Sequence, residues 1–91
     1  MPSNRTHIGI IADILDTASQ YGSERGAPVT HLIRRANVPH RRLSSIVSDL
    51  KASGLLHEVP DSKYLTTEKG REFLKNYTQF RDFAEGFGLK I

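Results

Sequence analysis

The first apolar residues of the chain recur with the period of a helix. From about Thr6 to Tyr21 apolar side chains return every three or four positions, which predicts a helix with one face on a core. Ile10 and Ile14 fall on a second arc that a monomeric domain need not bury, so we assign both to a contact with a second copy of the chain. Gly22 is the expected C-cap. The predicted core stripe consists of Ile8, Ile11, Ala12, Leu15 and Ala18.

The next amphipathic segment is interrupted by a tight turn. In the stretch IRRANVPHRRLSSIVSDL, apolar residues keep helical spacing on both sides of the letters NVP. Asn37 tolerates a left-handed conformation, and Pro39 suits the start of a helix, where its missing N–H costs no hydrogen bond. We therefore predict a helix-turn-helix, with a helix at about 31–36 that Thr30 caps and a second helix at about 39–53. The inward-facing residues are Leu32, Ile33, Val38, Leu43, Ile46, Val47 and Leu50.

Strand character begins after Gly54. The segments GLLHEV and KYLT flank the turn-forming letters PDS, which predicts a hairpin, and APV before the second helix is a candidate edge strand. Thr67 then caps a last helix, whose first turn holds Glu68, where the helix dipole favours an anion. This order of elements predicts an α+β, mostly helical fold: a winged helix-turn-helix over residues 1–70 and an added C-terminal helix over 71–91, within one domain.

The last helix carries a heptad stripe. Its apolar residues are spaced by four, three, four, three and four positions, which is the pattern of a coiled-coil seam. We predict a homodimer through this seam, which would present two copies of the helix-turn-helix to one duplex. The alternative is that the helix folds back on its own domain. The stripe is Phe73, Tyr77, Phe80, Ala84, Phe87 and Ile91, and the assigned dimer contacts are Tyr77, Phe80, Ala84 and Phe87 together with Ile10 and Ile14.

Positive charge is concentrated in one part of the chain. The net charge is +3 with a pI near 9.5, and the segment between Thr30 and Ala52 holds five Lys or Arg residues and a single acid, Asp49. A local surplus of this kind favours a polyanionic partner, and nucleic acid is the commonest one inside cells.

The exposed face of the second helix of the helix-turn-helix suits the DNA major groove. It combines arginines near its N-terminus with small serines behind them, so the helix can approach base edges. Arg41 is the best candidate for a bidentate contact with guanine. Solvated arginines with no partner are the competing interpretation. The candidate recognition residues are Arg41, Arg42, Ser44, Ser45 and Ser48, and the candidate backbone and wing contacts are Arg34, Arg35, His40 and Lys63.

The composition excludes several kinds of chemistry. Without cysteine there is no disulfide, no thiolate metal site and no cysteine nucleophile. The four histidines lie on different elements with no i,i+4 pair, and the glycines do not form a phosphate-binding loop. We therefore expect no enzyme activity, no metal or other cofactor and no small-molecule ligand.

Two further expectations concern location and partner. Asp13 and Asp16 interrupt the apolar segment near the start, so we expect neither a signal peptide nor a membrane contact, but a cytoplasmic protein associated with the nucleoid. RNA is a poor fit, because the deep, narrow major groove of an A-form helix does not admit a helix of this kind. The alternative to a DNA-binding protein is a winged-helix adaptor that binds other proteins in a larger assembly.

The sequence resembles a family of small archaeal winged-helix DNA-binding proteins. The resemblance rests on THLIRRANVPHRRL, LKASGLL and KYLTTEKGREFL, together with the leading IGIIADIL, and covers nearly the whole chain. It implies binding of double-stranded DNA, often with modest sequence preference, by a homodimer formed through the C-terminal helix, either as a transcriptional regulator or as an architectural chromatin protein. It assigns the DNA role to Arg34, Arg35, Arg41, Ser44, Ser45, Ser48 and Lys63.

Overall fold

A computed structural model describes residues 6–21 and 25–89. Four helices and an antiparallel sheet form the described part, which confirms the predicted α+β, winged helix-turn-helix architecture. In chain order the elements are α1 (His7–Ser19), β1 (Ala27–Pro28), α2 (Val29–Ala36), α3 (His40–Ala52), β2 (Leu56–Val59), β3 (Lys63–Thr66) and α4 (Glu68–Glu85).

Helix α1 is the centre of the fold. It contacts α2, β3 and α4, so apolar residues on more than one of its arcs are covered. Ile10 is 3% exposed and Ile14 is fully buried, so the expectation that these two residues meet a second copy is wrong. Ile8, predicted to lie in the core, is 44% exposed. The helix ends at Ser19, and Gly22 lies outside the described residues.

The helix-turn-helix has the predicted geometry apart from its first residues. Helix α2 begins at Val29, directly after β1, with Pro28 as its N-cap, so Thr30 lies inside the helix and does not cap it. Asn37 adopts the left-handed conformation, with φ 56° and ψ 47°, and its N–H donates to the carbonyl of Ile33 at 2.8 Å. Val38 is buried between the two helices, as predicted.

The hairpin and the predicted edge strand form one sheet in the order β1-β3-β2. Leu56 pairs with Thr66 and Val59 with Lys63, while Pro28 pairs with Lys63 on the other side of β3. Gly26 has φ +76°, and a β-carbon there would lie 3.0 Å from the β-carbon of Lys63, so glycine allows the chain to enter β1 close against β3.

Helix α4 begins as the sequence predicts. The Thr67 hydroxyl accepts a hydrogen bond from the N–H of Gly70 at 3.0 Å, and Glu68 lies in the first turn. Gly70 is buried against the carbonyl of Leu55. One residue before the cap, the buried hydroxyl of Thr66 donates to the carbonyl of Leu15 at 2.5 Å and ties β3 to α1.

The heptad stripe of α4 is divided between the core and solvent. Ala84 is 4% exposed and lies on the same face as Tyr77, whose hydroxyl oxygen is 3.7 Å from the place of a β-carbon on Gly9 in α1. The assignment of Ala84 to a dimer contact is therefore wrong, because its side chain is already buried within one copy of the chain. Tyr77 is half-buried, whereas Phe80 and Phe87 are 59% and 70% exposed. Ile91, the last residue of the predicted stripe, lies outside the described residues.

Replacement of Gly70 by alanine will destabilise the fold. The new β-carbon would meet the carbonyl of Leu55 and would lie 2.7 Å from Cγ2 of Thr66, so α4 must move away from the hairpin. We expect a loss of about 1–3 kcal/mol in the free energy of unfolding, measured by urea denaturation. Gly86→Ala is the matched control, because Gly86 has φ −63° at the C-cap and a β-carbon there would lie 3.3 Å from its nearest neighbour, the carbonyl oxygen of Phe83. Equal midpoints for the two variants would contradict the packing described.

The turn between α2 and α3 gives a second prediction. Asn37→Val should lower the free energy of unfolding by about 1–2 kcal/mol, because a β-branched residue in the left-handed region is strained. Asn37→Gly keeps that conformation accessible and should leave stability within about 0.5 kcal/mol of the wild type. Thermal and urea unfolding followed by circular dichroism measure both. The geometry of the turn would be wrong if the valine variant matched the glycine variant.

Candidate nucleic-acid interface

Helix α3 separates its apolar and polar residues cleanly. Leu43 and Leu50 are among its buried residues and face the core, with Ile46 and Val47 beside them. The opposite face is open to solvent, so the structure places every candidate recognition residue on the surface. These exposed residues are Arg41, Arg42, Ser44, Ser45 and Ser48.

The N-terminus of α3 is suited to an anion. Its N-cap is Pro39, which has no side-chain acceptor, and its first turn contains no acidic residue. The first N–H groups of a helix have no partner within it, and its dipole places partial positive charge there. Three basic side chains are exposed at this end: His40, Arg41 and Arg42. Positive side chains are unfavourable next to the positive end of the helix dipole. A bound phosphate would accept hydrogen bonds from the N–H groups and neutralise the side chains.

Two more arginines lie on the other side of the turn. Arg34 and Arg35 occupy the last turn of α2, a position where the dipole favours cations, and both are exposed. We call Arg34, Arg35, Arg41 and Arg42 the turn cluster. Within residues 6–21 and 25–89, the structure records no ion pair or hydrogen bond that engages the side chain of any of these four arginines. Their charge is therefore available to a partner.

Lys51 has a different role from these arginines. Its ammonium group forms an ion pair with Glu58 of β2 at 2.6 Å, and this hydrogen bond raises the pKa of Lys51. The pair links the end of α3 to the first strand of the hairpin. Of the five basic residues between Thr30 and Ala52, Lys51 is thus the one whose charge is partly balanced by the fold.

The wing is the hairpin formed by β2, β3 and the turn 60–62. Lys63 is half-buried at the start of β3, so part of its side chain is covered by the segment at Gly26. Arg25 is exposed and lines the same shallow groove as Lys63, together with Val59. Arg25 has no signal in the sequence, because its loop has no periodicity and the pairing of β1 with β3 is what brings it to the wing.

The histidines do not form a site. The ring nitrogen Nδ1 of His31 is hydrogen-bonded to the hydroxyl of Tyr21, and the two rings meet edge to face with centroids 5.2 Å apart, so this pair joins the turn after α1 to α2. In the described part of the chain, no three His, Asp or Glu side chains are grouped so that they could hold a metal ion. Nor is any described helix long and apolar enough to cross a membrane.

Comparison with known proteins agrees with this architecture. The family model described as winged helix-turn-helix matches residues 4–85, which is most of the chain. No curated protein matches the sequence. Domains of this family in general bind DNA and are not enzymes. The helix-turn-helix and the three-stranded sheet agree with this match, as does the exposed basic turn between α2 and α3. The chain therefore belongs to the winged helix-turn-helix family.

Proposed function

We propose that this protein binds double-stranded DNA as a homodimer, with α3 in the major groove, and that it acts in the cytoplasm on the nucleoid as a regulator or architectural protein. The observation that carries the proposal is the turn cluster, four exposed arginines beside the uncapped N-terminus of α3. We also propose that the protein belongs to the small archaeal chromosomal proteins within the winged helix-turn-helix family. The proposed DNA binding needs no cofactor and no small-molecule ligand.

The shape of α3 supports entry into the groove. The major groove of B-DNA is about 12 Å wide, and a helix with small outward side chains fits it. Ser45 and Ser48 provide such a surface behind Arg41. We assign Arg41 to a bidentate contact with guanine, while Ser44 hydrogen-bonds to a base edge or a phosphate. Phosphate contacts are assigned to Arg34, Arg35, Arg42 and His40, with Lys63 and Arg25 at the wing.

The exposed aromatic residues of α4 support the homodimer. Phe80, Phe83 and Phe87 are 59%, 65% and 70% exposed, and Leu89 just beyond the helix is 60% exposed. We call these four residues the aromatic patch. The rings of Phe83 and Phe87 pack edge to face with centroids 5.1 Å apart, so these two side chains form one apolar surface. Apolar clusters of this kind mark interfaces, and a two-fold contact between two α4 helices would cover both copies at once.

Loss of two arginines of the turn cluster should weaken DNA binding. Fluorescence anisotropy with a labelled random-sequence duplex, repeated at several salt concentrations, measures the affinity of the wild type and of Arg41→Ala/Arg42→Ala. The slope of log K against log salt should become shallower by roughly 0.9, because Arg42 is assigned to one phosphate and each neutralised phosphate contributes about 0.9.

The control for this experiment is Lys69→Ala/Lys75→Ala. Both lysines are exposed on α4, so this variant loses the same net charge away from the proposed interface. It should keep most of the salt slope. If the wild type fails to bind at low salt, or if the two double variants weaken binding equally, the assigned interface is wrong and the protein-binding adaptor becomes the better hypothesis.

Charges in the aromatic patch should separate the dimer. Phe83→Asp/Phe87→Asp places two carboxylates where apolar surface would be buried, and we expect a monomer by light scattering coupled to size exclusion. Lys75→Gln/Thr78→Asp is the control, because it makes the same change in net charge at exposed residues of α4 that point away from the patch. A wild type that is already monomeric at high concentration would contradict the homodimer but not DNA binding.

A further inference from the structure

We propose that Asp49 makes the DNA interface selective, by weakening contact with DNA in general and by accepting a hydrogen bond from a cytosine amino group at preferred sites. The inference rests on the proposed function, since it assigns a role within the same face of α3. Asp49 is the single acid between Thr30 and Ala52.

The position of Asp49 places it within the interface. It is exposed and lies one turn beyond Ser45 and two turns beyond Arg42, on the same flank of α3. At 1.5 Å per residue, its α-carbon is about 10.5 Å farther along the helix axis than that of Arg42. A helix that is held in the groove by Arg41 and Arg42 therefore carries this carboxylate along the same groove.

The carboxylate of Asp49 has no stabilising partner within the described part of the fold. Asp49 lies in the last turn of α3, where the helix dipole disfavours a negative charge. Its backbone carbonyl accepts hydrogen bonds from Ser53, but across residues 6–21 and 25–89 nothing is recorded that pairs with its carboxylate. Lys51, two residues away, forms its ion pair with Glu58 instead. Residues that break a local stability rule without a compensating contact are concentrated at functional positions.

The chemistry of the groove gives the carboxylate two opposite effects. It repels phosphates at every sequence, which lowers affinity for DNA in general. It can also accept a hydrogen bond from N4 of cytosine, which is the base donor that Asp and Glu recognise in the major groove. At sites with cytosine in the right position the second effect offsets the first. Asp49 thereby raises the ratio of specific to non-specific affinity rather than the affinity itself.

The test compares two substitutions on preferred and random DNA. The preferred site is first selected with the wild-type protein from a pool of randomised duplexes, and each base pair is then replaced in turn. Dissociation constants for these duplexes and for random-sequence DNA are measured by anisotropy at one salt concentration. Asp49→Asn removes the charge and keeps an acceptor oxygen, whereas Asp49→Ala removes both.

Both variants should bind random DNA more tightly than the wild type. Asp49→Ala should also lose roughly tenfold discrimination at one base pair whose preferred base is cytosine, and Asp49→Asn should keep part of it. Glu72→Ala is the matched control, because it removes one exposed acid from α4 and leaves α3 unchanged. Thermal unfolding should show Asp49→Ala at least as stable as the wild type.

Three results would overturn the inference: no preferred site in the pool, unchanged discrimination in Asp49→Ala, or the same gain in random-DNA affinity for Glu72→Ala. These outcomes are distinct from failure of the proposed function. If the wild type binds DNA and Arg41→Ala/Arg42→Ala weakens it while Asp49→Ala changes nothing, the interface stands and the role of Asp49 does not.

Discussion

The fold depends on the burial of α1. This helix contacts α2, β3 and α4, and the side chains of Ile14 and Leu15 are fully buried although they point to neighbouring arcs of the helix. The buried hydrogen bond from Thr66 to the carbonyl of Leu15 adds a polar link between α1 and the sheet. Because α2 and β3 pack on α1, and α3 in turn packs on α2 and β2, the orientation of the proposed DNA-facing surface follows from this packing.

Much of the fold could be predicted from the sequence because the signals are local. The period of apolar residues, the letters NVP and PDS, and the cap at Thr67 each act within a few residues, and the structure has a turn, a hairpin and a cap at those places. The division of apolar residues between core and surface was harder, because it depends on which elements pack together. Ile10 and Ile14 are buried by elements that are distant in sequence, and periodicity alone does not identify those elements.

In the candidate site, too, features that depend on local sequence were predictable, whereas features that depend on distant packing were not. Exposure of the α3 residues was predictable, since their buried partners alternate with them at helical spacing. The engagement of Lys51 with Glu58 and the approach of Arg25 to Lys63 depend on strand pairing, so the sequence carried no signal for either. Phe83 and Leu89 were missed because they fall outside the heptad stripe, yet they are among the most exposed apolar residues that the structure describes.

β3 is the central strand of the sheet, and its position limits how the wing moves relative to the helix-turn-helix. β3 pairs with β2 on one side and with β1 on the other, and β1 continues directly into α2. A wing attached in this way is tied to the start of the helix-turn-helix, so under the proposed function the protein would offer DNA a template whose spacing is restrained by the fold. A duplex that meets both parts must adapt its groove geometry to that template. Sequences that bend or narrow at low energetic cost would then be favoured, even at base pairs that no side chain touches.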